Sequence, residues 1–225
     1  MAANAAPIND LETRQRLLEA AARLFAEHGF KHVTVRDICK EAGANVAAVN
    51  YYFRDKSGLY EEVIRRIIVF MQQMMERAHD AGPNKTAEER LRHYIRTFLQ
   101  HILQSGDECW QGILMAREMT DPTPGLDMIF QQAIRPNSDR VRDLVIEIMG
   151  RRAPDHAVGM CVGSIQTQMM GLANPIARRF IPNFSPEVIS ALAEHITRFS
   201  LAGIRASADS TAKAKARHET TSIPH

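Results

Sequence analysis

Asn50, Tyr51, Tyr52 and Lys56 are a set of side chains suited to gripping a nucleic acid. An asparagine pairs in bidentate fashion with an adenine edge, and a thymine methyl accepts apolar contacts of the kind Val46, Ala47 or Ala48 could make. The two tyrosines offer hydroxyls to phosphates. Lys56 stands at the start of a predicted helix, where its charge and the helix dipole both attract an anion.

These residues need a frame, and the spacing supplies one. Two short helices, Thr34–Ala42 and Val46–Phe53, are joined by Gly43-Ala44-Asn45, the spacing of a helix-turn-helix. Thr34 caps the first, with Asp37 three residues on as an acidic variant of the capping box, and Asn45 caps the second. Val49 and Phe53, at i and i+4, face the core of a three-helix unit, and Val46, Ala47, Asn50, Tyr51 and Arg54 occupy the opposite face. The same spacing also fits a plain helical hairpin in a bundle, with the tyrosines as half-buried packing. Local charge leaves both readings open: Lys31, Arg36, Lys40, Arg54 and Lys56 face Asp37, Glu41 and Asp55.

Other chemistries find less support. His28 and His32 straddle Gly29, and His93 and His101 lie about 12 Å apart along a helix, so neither pair shares a metal ion. Cys39, Cys109 and Cys161 stand far apart without a C-x-x-C, which argues for free thiols in a reduced compartment. There is no G-x-S-x-G and no glycine-rich phosphate loop. No metal and no cofactor are expected. The eleven methionines suit an irregular core or an adaptable pocket. Among the apolar helices His101, Trp110, Arg117, Glu118 and Gln166 are the polar residues placed to orient a small ligand. Arg117 and Glu118 serve equally well as an internal ion pair. Gly159 and Gly163 allow close helix approach, and Ile189, Leu192, Ile196 and Phe199 form an apolar stripe on the last helix.

The whole chain is consistent with these elements. Its 225 residues, 45% hydrophobic and 24% charged, carry a net charge of +2, so any surface for DNA must be local. Apolar spacing is helical almost throughout, which predicts an all-α fold. Helices are expected near 11–27, 34–42, 46–53, 56–78 and 86–104, then 110–119, one long helix from Pro122 to Met149, 155–172, a remnant at 176–181 and 185–206. The first ten residues lack the pattern of a signal peptide, and no segment is apolar enough to span a membrane. Residues 207–225 have almost no large apolar side chains and are expected to be a disordered tail.

The run from Leu17 to Tyr60 resembles the DNA-binding domain of the TetR family of transcriptional regulators. Leu24-Phe25, Gly29-Phe30, Thr34-Val35, Ile38, Ala42-Gly43, Asn45, Tyr52-Phe53, Lys56 and Leu59 fall in register with that family's pattern. Many members carry a Lys and a Gly early in the recognition helix, where this chain has Val46 and Ala47. The resemblance implies base readout through Asn50 and apolar contacts, with phosphates held by Thr34, Tyr51, Tyr52 and Lys56. Arg117-Glu118-Met119, Pro122-Thr123-Pro124 and Ile134-Arg135-Pro136 resemble a subfamily linked in part to efflux genes and antibiotic sensitivity. The fold implied is a helix-turn-helix head at 11–56 and a helical effector-binding and dimerisation domain at 57–206. Its last two long helices would pair with those of a second copy. The function implied is a cytoplasmic, homodimeric repressor that binds a pseudo-palindromic double-stranded DNA and is released by a small apolar or amphipathic effector. The alternative is an all-helical enzyme or small-molecule carrier with a helix-turn-helix-like hairpin.

Overall fold

The computed structural model describes residues 8–104, 109–150, 153–174, 176–181 and 183–221, and contains eleven α-helices and no strand among them. In chain order these are α1 (Ile8–His28), α2 (Val35–Ala42), α3 (Val46–Phe53), α4 (Lys56–His79), α5 (Ala87–Gln104), α6 (Trp110–Thr120), α7 (Pro124–Ile129), α8 (Arg135–Met149), α9 (Asp155–Leu172), α10 (Ala177–Phe180) and α11 (Pro186–Thr221). The described residues divide into two compact units. One holds those up to Met71 together with those from Cys109 to Ile134; the other holds those from Gln72 to Gln104 and from Arg135 onward. This division does not follow a single cut near residue 57, because α6 and α7 pack with the N-terminal helices.

The first unit forms around Leu17, Phe25, Ile38, Val49, Phe53, Leu59 and Ile64, with Leu114 of α6 and Ile129 of α7 in the same core. Phe25 meets Tyr60 edge to face, ring centroids 4.9 Å apart. Gly29 ends α1 with φ +80°, a conformation open to glycine, as Gly43 ends α2 with φ +61°.

In the second unit α5 presents Leu91, Tyr94, Ile95, Phe98 and Leu99 to Val141 and Val145 of α8, Val158 and Ile165 of α9, and Ile189, Ala193 and Ile196 of α11. A polar chain runs through this core. His79 Nε2 bonds Asn137 Oδ1 at 3.0 Å, and Asn137 Nδ2 donates to the Tyr94 hydroxyl at 2.9 Å. The His79 ring also stacks on Tyr94 at 4.8 Å. Burial holds the His79 pKa below the ordinary histidine value; Asn137 and Glu76 act against that shift, and Arg140 and His93 reinforce it. A native pKa below the unfolded one means His79 adds stability above about pH 6.5, which is lost as pH falls toward the native value. Between about pH 7.5 and 5.5 the wild-type Tm should therefore fall more than that of His79→Leu, as thermal scans would register.

Two expectations are corrected. The long helix expected to Met149 is interrupted: α7 passes into a π-helical turn, Phe130–Ile134, before α8. Pro136 lacks an N–H and its ring crowds the preceding turn, so the chain widens just before it. At the other end, α11 continues to Thr221 where disorder was expected from 207. Alanine, lysine and arginine dominate residues 206–217, and all three have high intrinsic helix propensity.

Candidate nucleic-acid interface

Local chemistry places α2 and α3 as the spacing requires. The Thr34 hydroxyl accepts from Asp37 N at 3.2 Å, and the Asp37 carboxylate accepts from Thr34 N at 3.0 Å, a complete capping box. Asn45 Oδ1 accepts from Ala48 N at 2.9 Å and starts α3. Two residues, Gly43 and Ala44, separate α2 from that cap. The two inward residues of α3, Val49 and Phe53, are buried. Val46, Ala47, Asn50 and Tyr51 are exposed along the other side, with Tyr51 75% accessible, and Ala48 is half-buried. The surface expected to read bases is therefore open.

The phosphate-holding groups are arranged differently from expectation. The Thr34 hydroxyl is committed to its box, donating to Asp37 Oδ2 at 2.6 Å, and with the Thr34 N–H it holds that carboxyl below its usual pKa. Tyr52 donates to Asp10 Oδ1 at 2.5 Å, and that bond pushes its hydroxyl pKa up to about 12. Lys56 turns inward: its ammonium donates to the carbonyls of Phe30 at 2.9 Å and Val33 at 3.0 Å, and lies 4.4 Å from the centroid of the Phe30 ring. Of the four, Tyr51 projects outward. Lys56 thus ties the start of α4 to the loop between α1 and α2. Lys56→Ala should lower stability by about 1.5–3 kcal/mol in urea titrations, because two charge-assisted bonds are lost.

The five residues expected around an effector fall in both units. Trp110, Arg117 and Glu118 belong to the first unit, His101 and Gln166 to the second. Arg117 caps the end of α1, donating from Nε to Ala26 O at 2.6 Å and from Nη2 to Glu27 O. A cation there meets the negative end of the helix dipole. Glu118 is 1% exposed and accepts from the Tyr60 hydroxyl, from Thr123 N at 3.1 Å and from Thr123 Oγ1 at 2.9 Å. Each thus has its own partners, in place of the ion pair between them that the sequence allowed. Trp110 packs half-buried against the first core. Gln166 donates to Ser138 Oγ at 2.8 Å, and His101 is half-buried, which lowers its pKa. An open groove of about 640 Å³, lined by Arg96, Pro186, Glu187, Ser190, Ala191 and Glu194, takes in none of the five.

The residues expected at a dimer interface also separate. Ile189 and Ile196 are buried in the chain's own core and Leu192 packs against it, because that side of α11 meets α5, α8 and α9. Phe199, in contrast, is 62% exposed. A β-carbon on Gly159 or Gly163 would meet nothing within 4 Å. Met160 and Met170 on α9 are exposed beside these glycines. The sequence stripe did not separate Ile189 and Ile196, which lie in the chain's own core, from exposed Phe199, and it did not include the exposed methionines. Among the described residues no group of three metal-ligating side chains occurs, and no helix is long and apolar enough to cross a membrane.

Comparison with known proteins places this geometry in context. Residues 17–63 match the family described as bacterial regulatory proteins, tetR family, and residues 87–204 match the C-terminal domain of the HTH-type transcriptional dual regulator CecR. The HTH-type transcriptional dual regulator CecR of Shigella flexneri is 28% identical over 153 residues, covering 64% of this chain and 68% of its own. The regulator YttP of Bacillus subtilis is 30% identical over 91 residues, 40% of this chain. That match spans 44% of the Bacillus protein's length. Among solved structures, a TetR-family transcriptional regulator from Streptomyces coelicolor superposes with a TM-score of 0.63 at 21% identity, covering 87% of this chain and 97% of that one.

Proposed function

The chain belongs to the TetR family of bacterial transcriptional regulators and carries a CecR-type C-terminal domain, so it is a DNA-binding regulator and not an enzyme; from this premise we propose that it is a homodimeric repressor. Two copies of α3 enter successive major grooves of a pseudo-palindromic operator, about 34 Å apart. The observation that carries the reading is the exposed stripe of Val46, Ala47, Asn50 and Tyr51 on a helix whose other side, Val49 and Phe53, is buried. A phosphate contact comes from Tyr51, which projects outward. The exposed sides of α9 and α11, around Gly159, Met160, Gly163 and Phe199, meet a second copy. Acting on DNA, the protein works in the cytoplasm.

Release by a small apolar or amphipathic effector completes the reading. It rests on His101 and Gln166, half-buried polar groups among the methionine-bearing helices of the second unit. The effector must favour one state over the other, typically by about 1–3 kcal/mol of coupling. The description of the Shigella relative as a dual regulator favours a second reading, in which the protein both lowers and raises transcription. A reporter assay with and without the regulator separates the two.

Selection of duplexes from a random pool by the wild-type chain tests DNA recognition directly. Two half-sites and a steep fall of affinity with salt are expected; failure to enrich any sequence would sink the proposal. On the selected duplex, Asn50→Ala should relax preference at one position in each half-site by about 1–3 kcal/mol. A uniform loss across all sequences would assign Asn50 to the backbone instead.

A further inference from the structure

Arg54 follows α3 directly, and its backbone N–H donates to Asn50 O at 3.1 Å. It comes just after the helix that carries the exposed stripe and is itself exposed. Its side chain is 80% accessible. Its Nε donates to Asp55 Oδ2 at 3.2 Å, while the other Asp55 oxygen accepts from Gly58 N at 2.8 Å at the start of α4. The guanidinium is thus steadied at one nitrogen by a carboxylate that is itself held. Its two Nη groups are then suited to form the planar fork that matches a phosphate.

The surroundings make this charge valuable. Val46–Phe53 contains no basic residue, and Thr34, Tyr52 and Lys56 all spend hydrogen bonds inside the protein. The backbone at Arg54 is also unusual, with φ +71° and ψ −50°. Glycine occupies that region at least cost, and a side chain kept there at a conformational disadvantage points to use.

We propose that Arg54 is a phosphate contact of the DNA-reading surface, supplying the positive charge that α3 lacks. The proposal rests on the reading of α3 as the helix that enters DNA. Arg54→Gly, Arg54→Gln and Arg54→Lys, compared with the wild type on a duplex selected by the wild-type chain and on mixed-sequence duplex over a range of salt, provide the test. Arg54→Gly should keep or raise the Tm while weakening both DNAs about three- to tenfold. The salt slope should fall by about one, and Arg54→Lys should retain it. Should glycine lower the Tm, Arg54→Gln reads the loss of charge with the β-carbon kept. Wild-type affinity and slope in Arg54→Gly or Arg54→Gln would overturn the proposal. A wild-type chain that enriches no duplex would instead overturn the reading of α3, and the contact with it.

Discussion

Replacing Glu118 with alanine is expected to remove about 3–5 kcal/mol of stability from the unit that carries α3. The carboxylate is 1% exposed and serves two elements at once. It accepts the hydroxyl of Tyr60 on α4, and it accepts Thr123 N and Oγ1 at the entrance to α7. Tyr60 is itself buried, and burial first, with the Glu118 bond second, pushes its hydroxyl well above the ordinary tyrosine range. Alanine leaves these donors without an acceptor in a space that water does not fill cheaply, and adds a cavity. Thr123 Oγ1 also accepts from Gly125 N at 3.0 Å, so the start of α7 loosens as well. Glu118→Gln keeps one acceptor oxygen but turns an amide N–H₂ toward donors, and should lose about 1–2 kcal/mol. Thermal scans should register a fall of about 10 °C or more for the alanine variant, with DNA binding lost on the same temperature scale. A Tm within about 2 °C of wild type would mean that the carboxylate does not hold α4 and α6 together.

That role was not legible in the sequence, and the reason is range. The caps at Thr34 and Asn45 and the stops at Gly29 and Gly43 depend on residues within a turn or two, so type and spacing expose them. Arg117 and Glu118 are defined by partners far along the chain: Ala26, Glu27 and Tyr60. Without those partners, an Arg-Glu pair on an apolar helix reads as ligand anchors or as an ion pair. Lys56 and Tyr52 follow the same logic, since Phe30, Val33 and Asp10 claim the groups that local chemistry would offer to phosphate. The last helix illustrates a second limit. A 3.6-residue period identifies Ile189, Ile196 and Phe199 as apolar, but it does not say which apolar side meets the same chain. Pro136 did carry a local signal, since a proline one residue inside a helix requires some break behind it.

Gly163→Trp should break the proposed dimer while leaving the fold of each chain intact. A β-carbon at Gly163 meets nothing within 4 Å, so an indole there points into open space in the single chain. Far-UV circular dichroism should accordingly match wild type. In the dimer the situation reverses. Exposed Met160, Met170 and Phe199 present large apolar area, and the glycines beside the methionines let a second backbone approach closely. Overpacking such a contact costs about 1–3 kcal/mol, and a two-fold interface meets the substitution from both sides. The dimer dissociation constant should rise about 100-fold or more. DNA affinity should fall in parallel, because a single head holds only one half-site and loses the high effective concentration of the second. Light scattering at micromolar protein is the decisive measurement. An intact mutant dimer would place the interface on another face, and a monomer with undiminished affinity for the selected duplex would show that one head suffices for binding.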